Sequence, residues 1–310
     1  MLLNEDVNLK LVSIVIPCYQ NAENISDLQQ ALLILEDELW NKCKLEIILV
    51  DDGSTDGGFY KLIELKKSLK SKVKVVQLSG NFGSYNALLA GLSIGSGDCF
   101  IQLHADLQDP PEYIPAMIDH WLGGFKFVIG QRVGREDNWL SNVFSNIYHW
   151  LIQKLALPDI PRGGYDLILF DKQLKDQIVR LNERNVNMVY LISWLKFPYV
   201  TIPLIRKKRI KGVSQWRFTA KIKLFIDSFV AFSYFPIRLV TAFALIFFMA
   251  WLTISILGAF KIFSLGFIHW ILFTGITFLL FSVAIIAEYL WRTLEAARKR
   301  PPFIINNIIE

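Results

Sequence analysis

Cysteine and histidine are scarce in this sequence, and their scarcity excludes several kinds of site. The three cysteines, Cys18, Cys43 and Cys99, form no CxxC pair, and no histidine lies near them at the spacing of a zinc site. We therefore expect reduced and mostly buried thiols. The N-terminus lacks the basic residues of a secretory leader, and its first apolar run is short and β-branched. That run is predicted to be a strand, and residues 1–220 are predicted to form a cytosolic domain.

Charged residues are absent from two long runs near the C-terminus, 239–260 and 267–287, although 20% of the chain is charged. Each run is long enough to cross a hydrocarbon core of about 30 Å at ~1.5 Å per residue. Only Lys261–Gly266 separate the runs, which predicts a transmembrane helical hairpin over 238–290. A buried core hairpin of a soluble protein is the alternative, and it fits runs of this length poorly.

Positive charge flanks this hairpin on both sides. Lys and Arg cluster at 206–223 and at 292–300, whereas the loop between the two runs holds a single Lys. The positive-inside rule then predicts a multi-pass protein of the cell (inner) membrane with both termini in the cytosol. A basic juxtamembrane segment is expected at 221–237 and a basic tail at 291–310. Because the basic clusters border a membrane hairpin, they favour a lipid surface over nucleic acid as partner.

The first third of the chain alternates short apolar runs with helical stretches. Four runs are predicted to be strands: Leu11–Pro17, Leu45–Val50, Val73–Leu78 and Cys99–Leu103. Three stretches between them are predicted to be helices: Ile25–Trp40, Phe59–Ser71 and Ser84–Ile94. This alternation indicates βαβ units and an α/β fold with a doubly wound, mainly parallel sheet. Farther on, a strand is predicted at Phe127–Gly130 and a helix at Trp139–Leu155, with the aromatic residues of that helix in the core.

Polar clusters follow three of the predicted strands, at Cys18–Asn24, Asp51–Gly57 and His104–Glu112. In doubly wound sheets ligands bind beyond the carboxyl ends of the strands, so the clusters locate a site. Carboxylates in the Asp51–Gly57 cluster can accept hydrogen bonds from ribose hydroxyls or a base N–H, and its glycines permit a sharp turn. An acidic β-turn without a ligand explains this cluster about equally well.

The His104–Glu112 cluster offers oxygen ligands at a regular spacing. Asp106 and Gln108 can face one side of an extended segment, and such ligands suit a divalent cation that holds a diphosphate. A helix-capping Asp-Pro-Pro turn explains Asp109 but leaves Asp106 unexplained.

Together the motifs resemble those of family 2 glycosyltransferases. They are P-C-Y at 17–19, D-D-G-S-T-D-G at 51–57, N-F-G at 81–83, A-D-L-Q-D-P-P-E at 105–112 and G-x-R at 130–132. With the C-terminal hairpin they look most like the dolichyl- and undecaprenyl-phosphate sugar synthases. The resemblance implies a GT-A fold, a nucleotide-sugar donor, a polyprenyl phosphate acceptor, and Mg²⁺ or Mn²⁺ as cofactor. It implies an inverting transfer that yields a lipid-linked sugar for glycan or cell-envelope modification, and it is compatible with a homo-oligomer.

The resemblance also assigns roles by position. Nucleotide-sugar binding falls to Pro17, Tyr19, Asp51, Asp52, His104, Ala105 and Asp106, so the nucleotide pocket is expected within residues 1–135. Metal binding falls to Asp106, Gln108 and His104. The catalytic residues would be Asp106, Asp166 and the phosphate-facing Arg132, and the acceptor phosphate would meet Arg209 and Ser214. Because a lipid phosphate is already an anion near neutral pH, catalysis needs positioning and charge neutralisation more than a strong base.

Several positions depart from the family pattern. His104 stands where the family has Asp, and Tyr19-Gln20-Asn21 replaces Y-N-E. The acidic residue and the Arg that the family has around 162–168 are absent in register, and Asp166 is the candidate substitute for the acidic residue. These departures favour an unusual donor sugar. Two other hypotheses stay open: a transferase that extends a lipid-linked glycan, and a non-catalytic membrane scaffold that keeps the fold.

Overall fold

The structure is a computed structural model. It describes residues 9–133, 150–154, 156–157, 160, 165–183, 187–205, 233, 235–259 and 265–310.

Strands and helices alternate through the first part of the described chain. The strands are β1 Leu11–Cys18, β2 Lys44–Asp51, β3 Lys72–Leu78, β4 Cys99–Gln102, β5 Phe127–Arg132, β6 Tyr165–Asp171, β7 Val200–Leu204 and β8 Ile305–Ile309. The helices are α1 Ile25–Leu39, α2 Gly58–Ser68, α3 Ser84–Ile94, α4 Ile114–Leu122, α5 Lys172–Leu181, α6 Met188–Trp194, α7 Phe235–Ala259 and α8 Leu265–Arg298. A short 3₁₀ turn, Pro111–Tyr113, precedes α4.

These strands form one sheet in the order β7-β5-β6-β4-β1-β2-β3-β8. Strands β4, β1, β2 and β3 are parallel neighbours, and β5 is parallel to β7. Strand β6 runs antiparallel to β4 and β5, and β8 runs antiparallel to β3. The sheet is therefore mainly parallel, with its antiparallel members next to the ends of the parallel block.

Side chains on both faces of the central strands are buried, which explains apolar runs such as Ile47–Val50 of β2. Ile14 and Ile47 pack in the cluster that includes α1, α2 and α4, whereas Val15 and Ile48 pack in the cluster that includes α3, α5 and α6. Helices thus cover both faces, and the predicted doubly wound α/β class is confirmed. The cysteines are free and buried, as expected.

The four strands predicted in the first third of the chain are present, each within one residue of its predicted ends. The strand predicted at Phe127–Gly130 is also present and continues to Arg132. Strands β6, β7 and β8 were not predicted. Most of the helix predicted at Trp139–Leu155 lies outside the described residues.

Helices α7 and α8 lie side by side and antiparallel. The ring centroids of Phe247 and Phe278 are 4.9 Å apart, and the Tyr289 hydroxyl donates a 2.8 Å hydrogen bond to the Ser233 carbonyl at the other end of the pair. The segment Leu272–Arg298 is long and apolar enough to cross a membrane, and only 6% of its most apolar window is buried in the protein. In α7 the described apolar segment is Phe235–Ala250, which is shorter than a candidate membrane span. One candidate span is thus found among the described residues, where the sequence predicted two.

The end of the chain returns to the sheet. Strand β8 follows α8 after only a few residues and pairs with β3, so that Ile305 lies opposite Leu78 and Ile309 lies opposite Val75. The segment predicted as a basic tail, 291–310, therefore contains the last turns of α8 and an edge strand of the sheet.

Candidate active site

The candidate site lies at the edge where the parallel strands end. Cys18 at the end of β1 pairs with Asp51 at the end of β2, and the Asp52 N–H donates a 2.8 Å hydrogen bond to the Cys18 carbonyl. Strand β4 is parallel to β1 and ends at Gln102, so the loop that follows it starts at the same edge. The sequence places polar clusters after these strands, and the parallel sheet brings the clusters together.

Hydrogen bonds connect the loops after β1 and β2. The Gln20 backbone, in the left-handed region at φ 51°, donates to the Ser54 hydroxyl at 3.1 Å, and the Gln20 amide donates to the Thr55 hydroxyl at 2.9 Å. The Asp56 carboxylate accepts a 2.8 Å hydrogen bond from the Ala22 N–H. These cross-links make the two loops one wall of the site.

Two adjacent carboxylates, Asp51 and Asp52, have different surroundings although both are buried. The oxygens of Asp52 accept hydrogen bonds from the N–H groups of Phe82 at 2.7 Å and Gly83 at 2.9 Å. Those of Asp51 lie 3.3 and 3.4 Å from the Ser54 N–H, near the upper limit for a hydrogen bond. Both oxygens of Asp52 thus hold a loop, whereas the backbone hydrogen bonds that Asp51 accepts are longer.

Burial raises the pKa of both carboxyl groups. For Asp52 the raised pKa is about 6, because the two backbone hydrogen bonds only partly offset the burial. For Asp51 burial is again the main cause, with the Ser54 hydrogen bonds acting in the opposite direction. Hydrogen-bond donors from a ligand would favour the charged form of Asp51, so binding there is expected to lower its pKa.

Gly53 makes the closest approach between two loops of the site. It has φ +71°, and a Cβ atom added to it would lie 2.5 Å from the Gly80 carbonyl carbon. No residue with a side chain fits there without moving the backbone of the Ser79–Gly83 loop. The loop after β2 and the loop after β3 are therefore packed backbone to backbone.

The loop after β4 carries the predicted metal ligands. The Asp106 carboxylate accepts a 3.2 Å hydrogen bond from the Gln108 N–H, and Leu107 between them has φ 51°. His104 is oriented by two neighbours: its Nε2 lies 3.2 Å from the Gln102 amide nitrogen and 3.9 Å from Oδ2 of the fully buried Asp109. With Gln102 as donor, the neutral imidazole accepts at Nε2 and carries its proton on Nδ1.

The donor set in this loop fits a divalent cation that is shared with a substrate. Among the described residues, no group of three or more His, Cys, Asp or Glu side chains is placed to hold a metal ion. Mg²⁺ is usually held by one or two carboxylates together with substrate phosphates, and not by a complete protein cage. Half-buried Asp106 and the Gln108 side chain offer oxygen ligands of this kind, and the predicted role of His104 as a ligand remains a prediction.

Some of the other predicted site residues belong to the described part of the chain, and some do not. Pro17 and Tyr19 are half-buried at the end of β1, and Ala105 is buried in the core. Gln131 pairs with Tyr165, and Gln102 pairs with Ile168, so Arg132 and the start of β6 lie at the same edge as Asp106. Asp166 belongs to β6, and nothing is described of its side chain. Arg209 and Ser214 lie outside the described residues.

Sequence reasoning missed two residues that shape the site. Asp56 also accepts a 2.9 Å hydrogen bond from the Gly58 N–H, an Asx pattern at the start of α2 that the sequence could have indicated. Gln102 lies two residues before His104, and strand alternation could have placed both on one side.

The chain is similar to proteins of one known family. The family model described as "Glycosyl transferase family 2" matches residues 13–179. The uncharacterized glycosyltransferase sll0501 of Synechocystis sp. (strain ATCC 27184 / PCC 6803 / Kazusa) is 30% identical over 305 residues, covering 96% of this chain and 95% of the relative. The uncharacterized glycosyltransferase YkcC of Bacillus subtilis (strain 168) is 29% identical over 303 residues, covering 94% and 92%. Among solved structures, the mannosyltransferase PcManGT from Pyrobaculum calidifontis, in complex with GDP-Man and Mn²⁺, is 17% identical with a TM-score of 0.47, covering 92% and 88%.

Proposed function

The chain belongs to glycosyl transferase family 2 and is a glycosyltransferase, and we propose that it transfers a sugar from a nucleotide-sugar to a polyprenyl phosphate. Undecaprenyl phosphate is the expected lipid, and the cytosolic face of the cell membrane is the expected place of reaction. The product would be a polyprenyl-phosphate sugar for glycan or cell-envelope modification.

The observation that carries the lipid acceptor is the exposure of α8. Its apolar segment Leu272–Arg298 is almost entirely on the protein surface, with Phe273 73% and Leu280 65% exposed. A core helix of a soluble protein would bury these side chains, whereas a lipid bilayer covers them without another protein element. A transferase held at a bilayer meets a lipid-linked acceptor in its own plane.

A two-pass topology is part of the proposal. Helix α7, Phe235–Ala259, at ~1.5 Å per residue is long enough for an apolar core of about 30 Å, and it lies antiparallel to α8. Basic residues precede α7 in the sequence and follow the apolar part of α8, which favours cytosolic placement of both ends. Helix α7 would then enter the bilayer, and helix α8 would leave it, on the side where the sheet domain lies.

For the donor, we assign the nucleoside to the wall formed by the loops after β1 and β2. Pro17 and Tyr19 lie half-buried there, and Asp51 keeps the capacity to accept hydrogen bonds from a base or ribose. Asp52 would act through the Ser79–Gly83 loop, since both its oxygens are engaged with that loop.

The diphosphate would lie between the loop after β4 and the end of β5. Asp106 and Gln108, with His104, would hold a Mg²⁺ or Mn²⁺ ion, which neutralises charge on the departing nucleoside diphosphate when bound. Arg132, half-buried at the end of β5, would supply a fixed positive charge to the same phosphates.

The reaction needs no deprotonation of the acceptor. An oxygen of the lipid phosphate attacks the anomeric carbon from the face opposite the leaving group, a new C–O bond forms, and the bond to the nucleoside diphosphate breaks with its electron pair. One displacement inverts the anomeric configuration. The chain's contribution is to orient both phosphates and to exclude water, with Asp166 near the sugar and with Arg209 and Ser214 near the acceptor phosphate.

The test is transfer by the full chain reconstituted in lipid vesicles. The chain is incubated with undecaprenyl phosphate, Mg²⁺ or Mn²⁺, and a panel of UDP- and GDP-sugars, and lipid products are identified by mass. We expect one sugar to appear on the phosphate, and no product when undecaprenol without phosphate replaces the acceptor. Transfer only to a lipid that already carries a sugar would favour the glycan-extending alternative and contradict this proposal.

A further inference from the structure

We propose that the C-terminal strand β8 is a positioning element of the donor site, which fixes the Ser79–Gly83 loop through the first residues of the strand. The part of this inference that concerns the donor rests on the proposed function. Its structural part, the control of the loop by the chain end, stands on the contacts of the described residues alone.

The first step is the attachment of the chain end to the loop. The Ser79 N–H, directly after β3, donates a 2.9 Å hydrogen bond to the Ile304 carbonyl, directly before β8. Next to it, Ile305 pairs with Leu78, and the Asn306 amide donates a 3.2 Å hydrogen bond to the Gln77 side chain. The start of β8 therefore holds the end of β3 and the beginning of the loop.

The second step is the packing of apolar side chains from the chain end and from the loop against the same core cluster. Phe303 and Ile305 are partly buried against the core cluster on the α3 side of the sheet, and Phe82 and Tyr85 pack against the same cluster. Pro302 is buried just before them. The chain end thus shares its apolar support with the loop and with the first turn of α3.

The third step leads from the loop to the donor wall. Asp52 accepts hydrogen bonds from the N–H groups of Phe82 and Gly83, and Gly53 meets Gly80 backbone to backbone. Asp51, the carboxylate with acceptor capacity for the nucleoside, precedes this pair directly. A shift of the loop would therefore move the segment that carries Asp51.

The loop depends on contacts from other segments because its own sequence favours no single conformation. It contains Gly80 and Gly83, and Gly83 has φ 89°, so its backbone is intrinsically free to adopt many conformations. Without β8, strand β3 would be the edge of the sheet, and the Ser79 N–H would lose its partner. Pairing with β8 lowers the entropy of the loop before the donor arrives, which is preorganisation of the pocket.

The same strand also connects the donor site with the candidate membrane helix. Helix α8 ends at Arg298 and β8 begins at Ile305, so the link between the two elements is short. Helix α8 is thus joined to the donor wall by a short segment and β8. This connection is additional to the chain that leads from the sheet domain into α7.

Two isoleucines at opposite ends of β8 provide a matched test. Ile305 and Ile309 are both partly buried, but Ile305 lies at the loop and Ile309 lies opposite Val75 at the far end. Ile305→Ala and Ile309→Ala remove the same atoms from the same strand, and Ile305→Val serves as the conservative variant. Each is made in the full chain in detergent, and amide hydrogen exchange is measured over peptides that contain Ser79–Gly83.

We expect Ile305→Ala to accelerate exchange in this loop roughly tenfold, the effect of easing a local opening by ~1.4 kcal/mol. Ile309→Ala should leave the exchange of the loop within about twofold of the parent, and Ile305→Val should restore most of the protection. Equal acceleration by both alanine variants, or none by Ile305→Ala, would overturn the inference, because β8 would then act only on global stability or not at all.

A second measurement connects the loop to the donor. Binding of UDP and GDP with Mn²⁺ is measured by calorimetry on the same variants, and Ile305→Ala is expected to raise Kd about tenfold while Ile309→Ala leaves it unchanged. Failure of the parent chain to bind either nucleotide would contradict the proposed function. Nucleotide binding by the parent with no difference between the two variants would overturn the positioning role instead.

Discussion

The carboxylate of Asp52 accepts a 2.7 Å hydrogen bond from the backbone N–H of Phe82, thirty residues farther along the chain. Asp52 itself is only 2% exposed. This bond, with its neighbour at Gly83, ties the acidic motif after β2 to the glycine-rich loop after β3. A side chain predicted to contact the nucleoside is thereby found to shape a loop beside the candidate site, and its role as a direct ligand remains a prediction.

The first prediction concerns the pH dependence of stability that Asp52 introduces. Its pKa of about 6 in the folded chain is above its ordinary value of 3.8, so the folded state binds more protons between these values. The contribution of Asp52 to the free energy of unfolding should therefore be fully present below pH 3.8 and should fall as pH rises to about 6. Denaturation of the parent and of Asp52→Asn at several pH values measures this contribution as their difference.

That difference should favour the parent more at pH 4 than at pH 7. Asp56→Asn is the control, since Asp56 also accepts hydrogen bonds from two backbone N–H groups but is exposed. A difference between the parent and Asp52→Asn that stays constant over this range would show that the carboxyl group is not perturbed.

The second prediction separates close approach from backbone strain at two glycines. Gly53 and Gly57 both have positive φ, +71° and +78°, but an added Cβ would strike the Gly80 backbone at Gly53 and would meet nothing within 4 Å at Gly57. Gly57→Ala should cost about 1 kcal/mol of stability from strain alone. Gly53→Ala should cost roughly 1–3 kcal/mol more and should also weaken nucleotide binding. Equal losses of stability in the two variants would contradict the backbone contact between Gly53 and Gly80.

The third prediction is that Asp106→Ala abolishes sugar transfer and leaves the fold intact. Asp106 is the half-buried carboxylate of the loop after β4, and its loss should remove several kcal/mol of transition-state stabilisation, or about 10²–10³ in kcat. Asp37→Ala, which removes a 75% exposed carboxylate of α1, is the matched control. Transfer at the parental rate by the Asp106 variant with Mg²⁺ or Mn²⁺ would show that the site has been misassigned.

The fourth prediction concerns His104, which stands where the resemblance leads one to expect Asp. Its ring lies against the Gln102 amide and near buried Asp109, so it is held in place at the site. His104→Asp would put a carboxyl group near that of Asp109 and change the field around the predicted metal ligands. We expect a change in the ranking of donor sugars or of metals, measured by transfer assays across both panels, that is larger than the change in melting temperature. A shift of melting temperature with unchanged rankings would mean that His104 has only a structural role in the loop after β4.

The parallel part of the fold was predictable from sequence because its signal is local. Strand β1, for example, is apolar along most of its length, since helices cover both faces of the sheet. Helices with a regular apolar spacing separate the parallel strands in the sequence. Strands β7 and β8 were missed because their sequences are short and are interrupted by Pro203 or by Asn306 and Asn307, so neither shows a clear strand pattern. Strand β6 contains the apolar run Leu167–Phe170, which the sequence could have indicated.

The site shows the same division. That polar residues meet at one edge followed from the rule that parallel strands carry their ligands at the carboxyl ends. Which of two adjacent carboxylates holds the next loop did not follow, because Asp51 and Asp52 are equivalent as residues. Their difference depends on the position of the Phe82 and Gly83 N–H groups, which come from the next loop.

The sequence by itself determined the class of the sheet domain, the edge where the polar clusters of the candidate site meet, and the apolar stretch that suits a bilayer, because composition and periodicity encode burial directly. Tertiary structure alone decided that Asp52 holds a loop, that Gly53 touches Gly80, and that the chain end returns as β8 beside β3. The physical reason is that these contacts join backbone groups that are distant in sequence. Nearly every residue carries the same backbone donor and acceptor. Which of these groups form hydrogen bonds with each other therefore depends on which ones the packed elements bring within bonding distance.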